Sequence, residues 1–198
     1  FNALRPTLFL GLLDCINYNL SKGNRSLKLF EIGNILLREA PYQEKRLGII
    51  MGGEQYPNFW GQRNELIDYF DIKGIIESIF KILHIQQIEF AEIVKKGFSQ
   101  VAAIQFSGKE LGYIGCIEQS LCKESYHYVE LALEQALSFI GETFYIPSAK
   151  YPANTRDLSF LADESIRVPD VIKLITKVGG PILEKVILMS IFFKSVFI

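Results

Sequence analysis

An α+β fold, a mostly antiparallel sheet flanked by helices, follows from three features of this 198-residue sequence. Strand-like runs bounded by turn residues come in neighbouring pairs, 27–37 with 46–52 and 101–106 with 111–118, which is hairpin order. Helical apolar spacing occurs at 8–22 and 68–84, between or before such pairs. Strands and helices therefore alternate irregularly, unlike the strict alternation of a parallel doubly wound sheet.

The elements are justified in order. In 8–22, Leu8, Leu12, Ile16 and Leu20 fall on one helical face, with Thr7 as the expected N-cap and the polar run 21–24 as the stop. Residues 27–37 are rich in apolar and β-branched types and predict a strand with a bulge at Gly33. A loop over 38–45, containing Pro41, leads to a second strand at 46–52. In 68–84, Phe70, Ile75, Ile76, Ile79, Phe80 and Leu83 recur at helical spacing, and Gly74 marks a place for close packing. Strands follow at 86–93, at 101–106 and 111–118 around Ser107–Glu110, and at 126–131, before a short helix at 134–139. The Pro147–Pro152 stretch is the boundary candidate, giving domains 1–146 and 147–198. After it the pattern predicts a strand at 156–162, an acidic turn at 163–164, and a helix opening near Val168 with Pro169 in its first turn. Gly179 and Gly180 end that helix, and a strand follows from Ile182: a β-α-β unit.

Composition narrows the function classes. The sequence is 49% hydrophobic, enough for a real core, and its net charge is -1. A nucleic-acid binder would usually show a strong basic bias. Residues 147–198 carry seven Lys/Arg against five Asp/Glu, a small excess in that direction. The cysteines, Cys15, Cys116 and Cys122, are odd in number and widely spread, so neither a disulfide framework nor a zinc knuckle is predicted, and a reducing cytoplasm fits best. The longest apolar stretch, 186–198, is interrupted by Lys194 and is shorter than the about 20 residues of a membrane-spanning helix. Phe1 in place of Met suggests a piece of a longer protein.

No nucleophile-base-oxyanion constellation is visible, nor a GxSxG, P-loop or GxGxxG motif. The carboxylate pairs Asp68/Asp71 and Glu130/Glu134 are expected on wet faces, and His127, between two tyrosines, is expected to point to solvent from a strand.

Several short motifs, in order along the chain, carry a resemblance. They are Arg5-Pro6-Thr7-Leu8 running into Gly11-Leu12-Leu13, then Leu29-Phe30-Glu31-Ile32-Gly33, and Trp60 followed by Asp71-Ile72-Lys73-Gly74. After these come Leu111-Gly112-Tyr113-Ile114-Gly115 and finally Lys150-Tyr151-Pro152 leading to Arg156-Asp157-Leu158. The chain resembles the bacterial phenylalanyl-tRNA synthetase beta subunit. The resemblance implies a class II synthetase-like core without a working active site, followed by the start of a ferredoxin-like anticodon-binding module that the chain ends within. Class II catalysis needs a strand arginine for ATP phosphate and a Gly-rich helix motif ending in arginine; only a faint echo of the first, Arg38-Glu39, stands here. The loops 96–100 and 115–119 depart from the family pattern, as does 186–191, where a one-base change of reading frame near residue 188 would produce Val-Ile-Leu-Met-Ser-Ile from the family's Val-Ile-Phe-Asp-Val-Tyr. Sequencing the coding DNA decides that point.

What the resemblance implies for sites is specific. The subunit interface is expected at Arg5, Leu8, Leu12, Phe30 and Ile32, facing an alpha subunit that holds ATP and Mg and carries the chemistry; no cofactor is expected in this chain, which is expected to be inactive alone. RNA contacts are expected at Lys150, Tyr151, Arg156, Lys173 and Lys177, because lysine and arginine bind phosphate and tyrosine stacks on bases. The partners implied are the alpha subunit and tRNA(Phe), with no membrane and with self-association of the incomplete module. A stand-alone RNA-binding module and an independent class II-like ligase are the alternatives.

Overall fold

A computed structural model describes residues 5–56, 60, 65–85, 88–141, 151–163 and 165–191. The chain separates into two compact units, Phe1–Tyr145 and Ile146–Ile198.

The first unit is built on a six-stranded antiparallel sheet of order β1-β2-β6-β5-β4-β3. Its strands are β1 (Leu27–Leu36), β2 (Gln43–Gly52), β3 (Glu89–Ile93), β4 (Phe98–Phe106), β5 (Lys109–Ile117) and β6 (Tyr126–Ala132). Helix α1 (Phe9–Ser21) covers one face, and α2 (Tyr69–Ile82) with α3 (Leu133–Leu137) packs on the other. The strand alternation divides the core accordingly. Ile50, Tyr113, Tyr126 and Tyr128 meet Phe9, Leu12 and Ile16 of α1, whereas Leu47, Ile114, Val129 and Leu131 meet Ile72, Ile76 and Phe80 of α2.

Local chemistry sets the boundaries. The N-cap of α1 is Leu8 and not the expected Thr7, which stands one residue earlier with its hydroxyl accepting from the Phe9 amide at 3.1 Å, and the helix ends just before Gly23 turns to φ +87. Helix α2 starts in a capping box: Asp68 accepts from the Phe70 and Asp71 amides, and Asp71 accepts from the Asp68 amide at 2.8 Å. Asp68 and Asp71 are therefore a helix start and not merely a wet face. The β4–β5 hairpin turns on two residues, Ser107 (φ +48) and Gly108 (φ +76), so β5 starts two residues nearer the tip than the sequence pattern gives, while β4 ends at Phe106 as expected.

Four expectations are corrected. β1 pairs with β2 in unbroken register from Leu27↔Gly52 to Leu36↔Gln43, so Gly33 is no bulge. A Cβ there would collide with the Arg5 guanidinium, and glycine instead lets that side chain cross the strand. Gly74 is not a packing site, because a Cβ there meets nothing within 4 Å. His127 and Glu130 do not face water: β6 is the central strand between β2 and β5, all seven of its residues are buried, and the two are 5% and 1% exposed. A central strand has no wet face when helices cover both sides.

In the second unit, helix α4 (Val168–Gly179) opens with a proline in its first turn, holds an Arg167–Asp170 ion pair at 3.1 Å, and ends at Gly180 (φ +57). The expected flanking strands are absent among the described residues. Residues 152–163 and 183–191 have no ladder partner, and a strand exists only when another strand satisfies its amides and carbonyls. α4 has no buried residue, and Leu174 and Val178 stay open. No described helix is long and apolar enough to cross a membrane.

Two glycines give opposite predictions. Gly74→Ala should raise stability by about 0.5–1 kcal/mol through helix propensity alone. At Gly112 a Cβ would strike the Glu130 carbonyl of the neighbouring strand, so Gly112→Ala should cost about 1–3 kcal/mol. Urea unfolding midpoints measure both.

Candidate interaction surface

The sequence led to Arg5, Leu8, Leu12, Phe30 and Ile32, and the structure sorts them into two layers. Leu8 and Leu12 are 0% and 5% exposed and belong to the core of this unit. Phe30 and Ile32 are 72% and 55% exposed. Arg5 joins the layers: its Nη1 donates to Glu31 at 2.6 Å, its Nε donates to the Asn34 carbonyl at 3.1 Å, and its own carbonyl accepts from the Leu36 amide at 2.9 Å. The segment carrying Arg5 thus covers the Asn34–Leu36 end of β1, the sheet's outer strand.

Beneath that strap lies a buried polar knot that the sequence did not reveal. The Oε2 atom of Glu130 accepts from the Thr7 hydroxyl at 2.5 Å, from the Tyr128 hydroxyl at 2.5 Å and from the Leu8 amide at 3.2 Å. Its Oε1 atom lies 3.6 Å from Arg46, which also grips Glu44 at 2.6 Å. A carboxylate at the first turn of α1 satisfies an orphan amide and complements the positive end of the helix dipole. Burial, and then the Glu130 charge, push the phenols of Tyr113 and Tyr128 well above the usual tyrosine range. Arg46, Tyr113, Tyr128 and Glu130 are therefore positioning residues for α1 and β1. Their signal in the sequence was the Tyr-x-Glu spacing, which places both side chains on one strand face.

The other face of β1 is apolar and open. Phe30 and Ile32 stand opposite Ile49 and Leu47, and with Ile75 and Ile79 of α2 they line a groove. Leu36 and Asn34 turn their amide and carbonyl away from β2 toward Arg5. By the alternation of an antiparallel ladder, Ile32 and Phe30 direct their own backbone groups to the same outer edge. β1 thus has an outer edge beside exposed apolar side chains.

Of the residues expected to touch RNA, Lys150 lies outside the described residues. Tyr151 and Arg156 are exposed in the extended run before α4, and Lys173 and Lys177 are exposed one turn apart on α4. Arg38 sits exposed in the turn after β1. Among the described residues no three His, Cys, Asp or Glu stand together as a metal cluster.

Glu130→Ala should cost about 3–5 kcal/mol, because it leaves Arg46, Tyr128, Thr7 and the Leu8 amide without their shared acceptor. Alkali should expose the same knot. The unfolded phenols ionise near about pH 10 while Tyr113 and Tyr128 hold their protons. Above that pH the unfolded chain binds fewer protons than the native one, so this contribution is intact below about pH 10 and is lost as pH rises. Urea midpoints against pH should show the decline, and Tyr128→Phe should flatten it.

Residues 1–128 match the family model of the phenylalanyl tRNA synthetase beta chain CLM domain. Similar proteins include the phenylalanine–tRNA ligase beta subunits of Trichormus variabilis (33% identical), Synechococcus elongatus (32%) and Bacillus cereus (28%). The matches cover 94–96% of this chain and 25% of each relative, so the chain spans about a quarter of their length. Among solved structures, pyrrolysyl-tRNA synthetase from Desulfitobacterium hafniense is similar with a TM-score of 0.52 and 14% identity, over 67% of this chain and 48% of that one. Apo S. aureus histidyl-tRNA synthetase is similar with a TM-score of 0.51 and 11% identity, over 68% and 50%. At such identities the likeness shows the fold, a class II synthetase-like antiparallel sheet with flanking helices. Family model and fold agree, and the chain belongs to the phenylalanyl-tRNA synthetase beta-chain family.

Proposed function

We propose that this chain is a non-catalytic, subunit-binding part of a phenylalanine–tRNA ligase. It docks on the alpha subunit, which holds ATP and Mg and activates phenylalanine, and so supports charging of tRNA(Phe) in the cytoplasm. The observation that carries this reading is the open outer strand, where Phe30 and Ile32 are exposed over Ile75 and Ile79 while the opposite face of the same strand is fastened by Arg5 and Glu31. Fastening one face while leaving the other apolar and wet has no value for the isolated chain, because exposed aromatic area stabilises only when a partner covers it. Lys150, Tyr151, Arg156, Lys173 and Lys177 provide the basic and aromatic chemistry for tRNA, and the open face of α4 favours pairing of the fragment with a second copy in the absence of its natural neighbours.

Co-expression with the matching alpha subunit tests the reading. The chain should co-purify with alpha, and Phe30→Asp combined with Ile32→Asp should weaken that association by at least about tenfold without unfolding the chain, since two charges would be buried unpaired. Failure of the unaltered chain to bind alpha, or an undiminished complex with the double variant, contradicts it. Lys173→Ala with Lys177→Ala should weaken tRNA binding and make its salt dependence shallower by about two counterions.

A further inference from the structure

Helix α2 has an outer face that takes no part in the core or in the groove beside Phe30 and Ile32. Ile72, Ile76 and Phe80 turn to the core, so Phe70, Asp71, Gly74, Ser78, Lys81 and Ile82 share the opposite side of the helix. Phe70 and Ile82 are 72% and 75% exposed. The Tyr69 ring meets that of Phe70 edge-on at 5.7 Å, which holds the exposed ring in place. Between the two apolar residues the face is low. A Cβ on Gly74 would meet nothing within 4 Å, and Ser78 turns its hydroxyl back to donate to the Gly74 carbonyl at 2.7 Å. Glycine inside a helix lowers its stability, and nothing within the unit requires one here.

The order of these residues is self-complementary. Outward from Ile76 in both directions, small matches small (Gly74 and Ser78), acid matches base (Asp71 and Lys81), and aromatic matches aliphatic (Phe70 and Ile82). A two-fold axis perpendicular to two antiparallel helices, at the level of Ile76, brings the members of each pair level with one another across the contact.

We propose that this face of α2 pairs with the same face of a second copy of the chain, as an antiparallel helix pair. Gly74 and Ser78 let the helices approach to about 8 Å, the near end of the usual helix spacing. The Asp71 carboxylate is already fixed, accepting from the Asp68 amide at 2.8 Å and from the Gln55 side-chain amide at 3.0 Å. Lys81 is free to meet it from the second copy. Glu77, the acid one turn before Lys81, is taken by Lys73 at 2.7 Å, and Lys81 makes no ion pair among the described residues. The stem of the incoming lysine lies along Phe70. Antiparallel helices also set unlike dipole ends side by side. An unrelated partner would need the complementary order on its own helix, whereas a second copy carries it by construction.

The open face of α4 is another route to pairing, so the test uses the full chain with Leu174→Asp and Val178→Asp, both exposed positions, and with Cys15→Ser to remove the exposed thiol. One pair of 14-residue helices is a small interface, so a dissociation constant of about 10–100 µM is expected. Sedimentation equilibrium from about 1 to 300 µM should show monomer and dimer. Gly74→Leu has room within the unit, so the urea midpoint should stay as high or rise, while the dimer should weaken at least about tenfold. Lys81→Glu should also weaken it, most at low salt. Mixing Gly74→Cys chains with Ser78→Cys chains should give a disulfide joining the two substituted positions, identified by mass spectrometry. Phe70→Cys chains should not link to one another, because an antiparallel pair holds their two copies at opposite ends. A monomer at every concentration, a dimer indifferent to Gly74→Leu, or self-linking of Phe70→Cys would overturn the pairing. Docking on the alpha subunit rests on Phe30 and Ile32 and is untouched by any of these outcomes.

Discussion

The carboxylate of Glu130 is the constraint on which the α1 side of the sheet depends. It sits 1% exposed in the central strand, where an ionised group survives only with its oxygens satisfied. The Thr7 and Tyr128 hydroxyls, the Leu8 amide and Arg46 do this together. Since two of those donors are at the first turn of α1, the carboxylate fixes where that helix begins and hence where Leu12 and Ile16 enter the core. The helix then crosses β2 at Gly48, where a Cβ would press on Leu12, Leu8 and the Tyr128 hydroxyl. The close approach and the buried charge are two parts of one arrangement.

From that knot the order spreads to the outer strand. The segment leading into α1 lays Arg5 across Gly33 onto Glu31 and Asn34, which is possible only because residue 33 has no side chain. One face and one end of β1 are thereby held, and Phe30 and Ile32 are left presented on the other face. The presentation of Phe30 and Ile32 thus depends on a buried carboxylate two strands away.

The elements of the first unit were legible wherever period and punctuation agreed. α1, α2 and both hairpins fall near their sequence positions because apolar spacing, caps and turn residues point the same way. The misses share one cause, which is that sheet order is non-local. Nothing in Ser125-Tyr126-His127-Tyr128 says that this strand will be central, and only centrality turns His127 and Glu130 inward. Gly33 reads as a bulge in the sequence because the Arg5 that needs it lies 28 positions earlier. The strands expected around α4 do not form among the described residues, because a ladder requires a partner, which propensity cannot supply. The family motifs Leu29–Gly33 and Arg5–Leu13 fall on β1 and at the start of α1, while which of their residues face outward is set by the pairing register.

Amide hydrogen exchange on Glu130→Gln is the measurement that reaches the central claim most directly, because the amide keeps the shape of the side chain while removing its charge and turning one acceptor oxygen into a donor. Faster exchange is expected only at the start of α1 and at the Asn34–Leu36 end of β1, with α2 and β4 as protected as before. Uniform loosening of the whole unit, or unchanged protection at Leu8 and Leu36, would contradict it.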